Sequence, residues 1–242
     1  MLKFNALFAA VLAVSATQAF AAGSNALVQQ TGVDQLANVY QEGVGQISKV
    51  YQTGFAHRNT ATTSQSGEQN SSKVTQGGAW HDATVTQTGI KGNVKITQNN
   101  WNNDTTVEQA GYANTADVTQ DGWNNDAELN QDGAYNSSTV VQTGESNDAF
   151  VDQIGMKGDI DISQDGNRNV ADVDQDGEWN TVDVTQLGDR NVADIDQTSA
   201  FSHANVMQDG VQNMATVLQT GFGDFATVSQ IGTANTATVT QH

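Results

Sequence analysis

The residues of this chain that could do chemistry are mainly carboxylates and carboxamides. Its 242 residues include 27 Asp and Glu against 9 Lys and Arg, with 4 His and no Cys. The chain therefore has no thiolate nucleophile, no disulfide and no thiolate ligand for zinc. Its formal net charge of −18 argues against a nucleic-acid partner, because phosphate contacts require a basic face.

Some of the aspartates recur at a fixed spacing of 22 residues. Asp152, Asp174 and Asp196 form one series, and Asp172 and Asp194 form a second. Stacked carboxylates repel one another, so we expect these residues to be gatekeepers that slow premature association. Repulsion should raise their pKa values, and assembly should become faster as the pH falls towards about 4. The alternative is a weak divalent-cation ladder, since aspartate oxygens are suitable ligands.

The histidines form no recognisable catalytic or metal-binding group. His57, His81, His203 and His242 are never close together in sequence, and no nucleophile, acid and base are grouped. Three of the four histidines fall in arcs between strands, so we expect arc residues rather than metal ligands. The sequence indicates neither an enzyme nor a protein with a cofactor.

Glutamine is the residue with the most regular spacing. Of 25 glutamines after residue 21, 20 lie on a lattice of eleven-residue steps, broken only by the thirteen-residue step from Gln52 to Gln65. Counting from each lattice glutamine, the second residue is Gly in 17 of 19 units, and the ninth is Val, Ile or Leu in 18 of 19. The fifth residue is most often Asn. The lattice glutamines are Gln30, Gln41, Gln52, Gln65, Gln76, Gln87, Gln98, Gln109, Gln120, Gln131, Gln142, Gln153, Gln164, Gln175, Gln186, Gln197, Gln208, Gln219, Gln230 and Gln241.

The spacing within each unit favours a strand over a helix. Asn, Ala, Val and Gln occupy the fifth, seventh, ninth and eleventh places, so in a strand all four point to one face. The places between them are mostly Thr, Asp, Ser and Lys, which suit a solvated face. Glycine can supply the positive φ of a tight corner. Each unit is therefore predicted to be a strand of about five to seven residues followed by a four-residue arc.

Longer identities recur at 22 residues, which is twice the unit. The segment Trp101–Asp104 recurs as Trp123–Asp126. Two units therefore make one rung. The predicted fold is an all-β, amyloid-like β-solenoid of 22-residue rungs, each with two strand-arc units, in which two parallel in-register sheets face each other. Two aromatic pairs lie one rung apart in arcs and are expected to stack, Trp101 with Trp123 and Trp179 with Phe201.

The stack explains the choice of buried residues. Ala and Val should form a dry core, while Gln and Asn at its margins should bond amide to amide along the axis. A buried amide without a partner costs about 1 to 3 kcal/mol, so identical neighbours are required. The final unit keeps the pattern, so we expect uncapped ends that template further chains. The predicted asparagine ladder consists of Asn103, Asn114, Asn125, Asn136, Asn147, Asn169, Asn180, Asn191, Asn213 and Asn235.

The first 21 residues have the features of a secretory signal peptide. Lys3 precedes an apolar run over residues 6–16, and residues 19–21 supply the small-residue cleavage pattern. Cleavage is predicted between Ala21 and Ala22. Residues 22–29 then form a short N-terminal segment before about nineteen half-repeats over residues 30–242.

The pattern QxGxxNxAxxxQ resembles the repeat of the curlin family, the secreted bacterial amyloid subunits of curli biofilm fibres. Gln109, Gly111, Asn114, Ala116 and Gln120 carry this pattern residue by residue. The resemblance implies passage through the periplasm with chaperones, export through a dedicated outer-membrane pore, and nucleation by a minor curlin subunit. It also implies that the chain polymerises with itself into an extracellular fibre at the cell surface.

The regular, nearly neutral final units indicate the major, fibre-forming subunit, with a role in biofilm matrix, adhesion and aggregation. The minor, nucleating subunit is the close alternative. Family members carry a glycine-rich segment that engages the export pore, whereas only residues 22–29 precede the repeat here. A calcium-binding solenoid would need a nine-residue repeat. An ice-binding one would need a TxT ladder that most rungs lack.

Overall fold

The computed structural model describes the main chain of residues 13–242, with the side chains of residues 13–22 and 54–56 outside the description. All the regular elements in this range are β-strands, and they form two sheets. We call them the odd sheet and the even sheet after the numbers of their strands.

The odd sheet contains eleven strands stacked in sequence order. They are β1 (Ala13–Ala22), β3 (Leu36–Val44), β5 (Thr60–Glu68), β7 (Asp82–Gln87), β9 (Asp104–Tyr112), β11 (Asp126–Ala134), β13 (Asp148–Met156), β15 (Val170–Glu178), β17 (Val192–Gln197), β19 (Met214–Gln219) and β21 (Thr236–Gln241).

The even sheet contains ten strands in the same kind of order. They are β2 (Asn25–Val33), β4 (Ile47–His57), β6 (Ser71–Ala79), β8 (Asn93–Trp101), β10 (Thr115–Trp123), β12 (Ser137–Glu145), β14 (Asp159–Asn167), β16 (Thr181–Asp189), β18 (His203–Val211) and β20 (Phe225–Thr233).

Every strand pairs in parallel with the strand two places away in the chain. Between β10 and β12 the partners lie 22 residues apart, so that Gln120 is opposite Gln142 and Gly122 is opposite Gly144. The thirteen-residue step is accommodated in β4, where the register shifts between Thr53 and His57. The predicted all-β solenoid of 22-residue rungs with two parallel sheets is confirmed.

Residues 13–22 form strand β1, which pairs with β3 and shifts register after Ala19. The structure is that of the uncleaved chain, and it places the second half of the predicted signal peptide on the edge of the odd sheet. Residues 1–12 lie outside the described residues. Cleavage between Ala21 and Ala22, and the boundaries of the segment that follows, stay predictions.

A single apolar core lies between the two sheets. Inward alanines and branched aliphatic residues form one cluster that includes Ala127, Leu129 and Val140, each with no exposed surface. Thr63, which replaces the Val, Ile or Leu of the other units at the ninth place, bonds to the Ser48 hydroxyl at 2.8 Å. Since Ser48 also bonds to Ser72 at 3.1 Å, the buried hydroxyls satisfy one another.

The strands are longer than the sequence analysis predicts. Most contain nine residues, and only Asn124 and Asn125 separate β10 from β11. The predicted strand of five to seven residues and arc of four were wrong because main-chain pairing continues through the glutamine and glycine. The corner instead lies at the fourth residue of the unit, which adopts a left-handed conformation, as in Asn124 with φ of 56°.

The glycine of each unit is required by close contact between rungs as well as by its backbone angle. Gly133 has φ of 124°, which side-chain-bearing residues rarely adopt. A Cβ atom on Gly133 would also overlap the carbonyl oxygen of Gly155 in the next rung. The glycine therefore allows adjacent rungs to remain at the spacing of a β-ladder.

Candidate functional site: the amide ladders and the acidic face

The lattice glutamines lie inside the solenoid and connect it in two directions. Gln120 has no exposed surface. Its Oε1 accepts a hydrogen bond from Gln98 Nε2 at 3.0 Å, and its Nε2 donates to Gln142 Oε1 at 2.9 Å. The same Nε2 donates across the core to the carbonyl oxygen of Asp104, in the opposite sheet, at 2.8 Å. Most lattice glutamines likewise join neighbouring rungs and the two sheets, whereas Gln30 and Gln175 bond only along the ladder.

The glutamine ladder is polar along its whole length. In every bond from Gln30 to Gln241 the Nε2 atom donates to the Oε1 atom of the glutamine in the next rung towards the C-terminus, at 2.7 to 3.0 Å. In β2, the first strand of the even sheet, Gln30 Oε1 is buried and has no hydrogen-bond partner among the described residues. One end of the ladder therefore offers acceptors and the other offers donors.

The asparagines bond mainly to the main chain, which differs from the expected amide-to-amide pattern. Asn103 Oδ1 accepts from the backbone N–H of Asn125, one rung away, at 3.0 Å. Asn103 Nδ2 donates to the carbonyl oxygens of Asn99 at 2.7 Å and Gly122 at 3.2 Å. Amide-to-amide bonds are added only along part of the ladder, as from Asn147 Nδ2 to Asn125 Oδ1 at 3.2 Å. The asparagine is needed because corner residues leave main-chain groups unpaired.

His81 occupies the place in its unit where most units have the ladder asparagine. The sequence analysis did not identify this role of His81. Its side chain is buried, and its Nδ1 accepts the backbone N–H of Asn103 at 3.2 Å. Its Nε2 lies 3.3 Å from the carbonyl oxygen of Gly77, which the neutral tautomer with hydrogen on Nε2 satisfies. Burial lowers the pKa of His81. The imidazole therefore reproduces the acceptor and the donor of an asparagine.

The five predicted gatekeeper aspartates lie on the outward face of the odd sheet. Asp174 is in register with Asp152 on one side and Asp196 on the other, and Asp172 is in register with Asp194. Partial burial raises the pKa of Asp172 and of Asp174, with a further upward contribution from the neighbouring carboxylates. Desolvation therefore contributes more to the raised pKa of Asp172 and Asp174 than does the charge repulsion expected from the sequence.

The sequence analysis missed a third column of carboxylates on the same face. Asp82, Asp104, Asp126 and Asp148 are the first residues of four consecutive odd strands and lie in register. The pKa of each is raised, first by partial burial, and for Asp104 and Asp148 also by a neighbouring aspartate in the column. Their 22-residue recurrence could have revealed them, since it is the same period that identified the other columns.

These carboxylates do not converge on a point. Among the described residues no three His, Asp or Glu side chains are placed to hold a metal ion. A ladder with one carboxylate per rung is an extended surface rather than a closed set of ligands.

Among the described residues, no helix has the length and apolar character needed to cross a membrane.

The corners of the solenoid carry exposed aromatic side chains. Trp179 and Phe201 are stacked, with centroids 6.1 Å apart and planes at 7°, as expected from their spacing. The same expectation is wrong for Trp101 and Trp123, which are in register but make no ring contact because both side chains extend into solvent. Lys157 Nζ lies 3.7 Å from the centroid of Trp179, and Phe222 continues the column at 5.2 Å from Phe201. These contacts cover one edge of the stack from rung to rung.

The comparisons with known proteins agree with the repeat. The curlin associated repeat matches the chain seven times, over residues 56–89, 101–133, 122–155, 158–186, 179–210, 202–232 and 212–242. No curated protein matches the chain significantly. The matches cover well over half of the chain, and each spans units whose glutamine, glycine and asparagine have the roles described above. This chain belongs to the curlin family and has the fold of a curli-type structural subunit.

Proposed function

We propose that this chain is a subunit that stacks end to end on copies of itself to form an extracellular, amyloid-like fibre. The observation that carries the proposal is the polarity of the glutamine ladder. Because every rung presents donors on one side and acceptors on the other at the same spacing, a further copy can continue the ladder without a change of register.

The exposed edges of the two sheets support axial addition. Strands β20 and β21 each pair on one side only, so their other side carries N–H and C=O groups free to pair with a strand. Gln230 Nε2 donates one N–H to the carbonyl oxygen of Met214, and Gln241 Nε2 donates one to that of Phe225, which leaves the second N–H of each for the next rung. At the other end, buried Gln30 Oε1 lacks a donor among the described residues. Stacking would pair these groups, and a buried acceptor such as Gln30 Oε1 costs about 1 to 3 kcal/mol while it is unpaired.

We propose the major, fibre-forming role rather than that of the minor nucleator. The last two strands keep the interior register, with Gln208 opposite Gln230 and Gln219 opposite Gln241. An end that matches the interior favours repeated addition of identical copies. The resulting fibre would serve in biofilm matrix, adhesion and aggregation, and its formation is proposed to need no enzymatic activity and no cofactor.

Secretion and its partners belong to the same proposal. The cleaved signal peptide would send the chain to the periplasm, where chaperones would hold it before an outer-membrane pore exports it. A minor curlin subunit would then nucleate growth at the cell surface. The acidic columns would slow stacking before export, because folding brings their carboxylates together and partly desolvates them.

The test compares two adjacent glutamines in seeded growth of purified residues 22–242. Gln30→Leu removes the unpaired acceptor, whereas Gln29→Leu makes the same change at a neighbouring exposed side chain. We expect elongation on sonicated wild-type seeds, followed by thioflavin fluorescence, to be about tenfold slower for Gln30→Leu, since 1.4 kcal/mol is a factor of ten. Gln29→Leu should elongate at the wild-type rate.

Equal elongation rates for the two variants would contradict the role of the ladder. Wild-type protein that stays monomeric when seeded would contradict polymerisation itself. A chain that elongates poorly alone but accelerates a polymerising curlin at substoichiometric amounts would instead be the minor, nucleating subunit.

A further inference from the structure

The outward face of the even sheet is basic over its first four strands, and the outward face of the odd sheet is acidic over its middle strands. In the even sheet, β2, β4, β6 and β8 contain no acidic residue, and Lys49, Lys73 and Lys95 are their charged residues apart from His57. In the odd sheet, every charged residue of β9, β11, β13, β15 and β17 is acidic. Each solenoid thus has a basic region on one face and an acidic region on the opposite face.

The three lysines form a ladder with the rung spacing. Lys49 is in register with Lys73, and Lys73 with Lys95, and all three side chains are exposed. Ser71 and Thr97 lie on the same face, and the larger side chains of Leu27, Ile47 and Tyr51 lie towards its N-terminal end. The three lysines, which we call the lysine ladder, are consecutive cations about 4.8 Å apart along the axis.

The contacts of the lysine ladder within the chain leave it accessible. Lys95 Nζ bonds to Asp117 at 2.7 Å, and Lys73 Nζ lies 5.9 Å from the centroid of Tyr51. The Lys95–Asp117 pair is exposed, with side-chain accessibilities of 46% and 38%. Solvent screens such pairs, and they hold their partners weakly. The ladder can therefore accept further carboxylates.

The acidic counterpart has the same number of members and the same spacing. Asp152, Asp174 and Asp196 are in register on consecutive strands β13, β15 and β17. They also face outward, with Asp172 and Asp194 beside them. Because both ladders have the period of a β-ladder, one lysine placed against one aspartate brings the other two pairs into place.

We propose that two copies of this chain pair side by side, with the lysine ladder of one on the Asp152, Asp174 and Asp196 column of the other. The two faces point in opposite directions from one solenoid, so a single copy cannot make this contact within itself. If the two axes run in the same direction, the copies are offset by between four and five rungs, or about 20 Å.

The lateral pairing rests on the proposed function, because only copies stacked into fibres repeat the contact often enough to bind firmly. Three exposed ion pairs hold two monomers weakly, but copies stacked into fibres repeat the contact once per subunit and gain avidity. Lateral pairing therefore follows axial stacking, and it neutralises carboxylates that would otherwise repel along the fibre. The predicted product is a bundle of fibres whose width depends on salt.

The experiment separates lateral pairing from axial growth in purified residues 22–242. Thioflavin fluorescence and the 4.7 Å reflection report fibre formation, and electron microscopy reports fibre width at about 50 mM and 1 M salt. The test variant changes all three ladder lysines to glutamine. A matched control removes three positive charges from the corners instead, as Lys91→Gln, Lys157→Gln and Arg168→Gln.

We expect wild type and control to form bundles at low salt. These should separate into single fibres at 1 M salt, where the Debye length is about 3 Å and the ion pairs are screened. The ladder variant should form single fibres at both salt concentrations. A second pair of variants tests complementarity, one with the three lysines changed to glutamate and one with Asp152, Asp174 and Asp196 changed to lysine. Each should form single fibres alone, and mixing the two fibre populations should restore bundles.

Bundles of equal width in the ladder variant and the control would overturn the pairing, as would a failure of the two reversed variants to combine. Bundling that requires added duplex DNA would assign the lysine ladder to a polyanion and would also overturn it. If no fibres form, the proposed function fails. Lateral pairing then predicts a salt-sensitive dimer in sedimentation velocity at high concentration, and a monomer under all conditions would contradict it.

Discussion

At the scale of single residues, each place in the unit is set by a contact with the next rung. A glutamine is required where a side chain must both donate and accept along the axis and also reach the opposite sheet, as Gln120 does. Glycine is required where the carbonyl oxygen of the next rung lies in the space that a Cβ atom would occupy. The sequence shows where glutamine and glycine recur in the unit, but only the structure shows which contact with the next rung excludes other residues there.

Adjacent glycines in β6 test the contact between rungs. A Cβ atom on Gly78, with φ of 122°, would overlap the carbonyl oxygen of Asn100, whereas one on Gly77 would lie 3.3 Å from the Asn99 side chain. We expect Gly78→Ala to lower the free energy of unfolding by about 2 kcal/mol or more. Gly77→Ala should change it by less than about 0.5 kcal/mol. Urea unfolding of both variants measures the difference, and equal values would contradict the steric explanation.

His81 gives the solenoid a sensitivity to acid. Because burial lowers its pKa in the folded state, its contribution to stability is complete above about pH 6.5 and is lost as the pH falls from there through the folded pKa. Protonation would place an N–H of the ring against the backbone N–H of Asn103. We expect the stability difference between His81→Asn and wild type to grow from pH 7 to pH 5, measured by urea unfolding. A difference independent of pH would show that His81 is not neutral and buried.

At the scale of elements, the sheet faces rather than single strands carry the charge pattern. The 22-residue period correctly predicts that Asp172 and Asp194 are neighbours, since parallel in-register strands place them one rung apart. The same period could have identified Asp82, Asp104, Asp126 and Asp148. Their partial burial could not be predicted, because it depends on the packing of strand ends against the corners.

The acidic columns predict faster assembly when their charge is removed. Folding raises the pKa of Asp172 and of Asp174, so the folded state is favoured at low pH and loses stability as the pH rises through their folded pKa values. Assembly should therefore be faster near pH 4 than at pH 7. At pH 7, the lag time in thioflavin fluorescence should shorten several-fold when Asp172, Asp174, Asp194 and Asp196 are changed to Asn.

A matched control removes four charges that have no acidic neighbour at the same place of the next rung. These are Asp121, Asp165 and Asp209, each changed to Asn, and Glu145, changed to Gln. Its lag time should shorten less than that of the column variant. Equal lag times for column variant, control and wild type at pH 7 would remove the gatekeeper role.

At the scale of the whole molecule, the fold follows from the repeat, and the details of its corners do not. Residues separated by two along the chain must share a strand face, so the period of eleven determines two sheets and a core. The left-handed corner could not be predicted because residues as different as Tyr135, Arg168 and Trp179 occupy it. The main-chain role of the asparagines was missed for the same reason, since it depends on where the corner leaves carbonyl oxygens free.

The central claim is that intact solenoids stack axially, and the length of fibre occupied by each chain tests it most directly. With the proposed cleavage after Ala21, β1 is lost and each sheet has ten strands, so one chain should occupy about 48 Å of fibre. Purified residues 22–242, incubated without divalent cations, should give a 4.7 Å meridional reflection and a mass per length of one chain per about 48 Å. A lasting monomer, or fibres with one chain per 4.7 Å, would contradict the account.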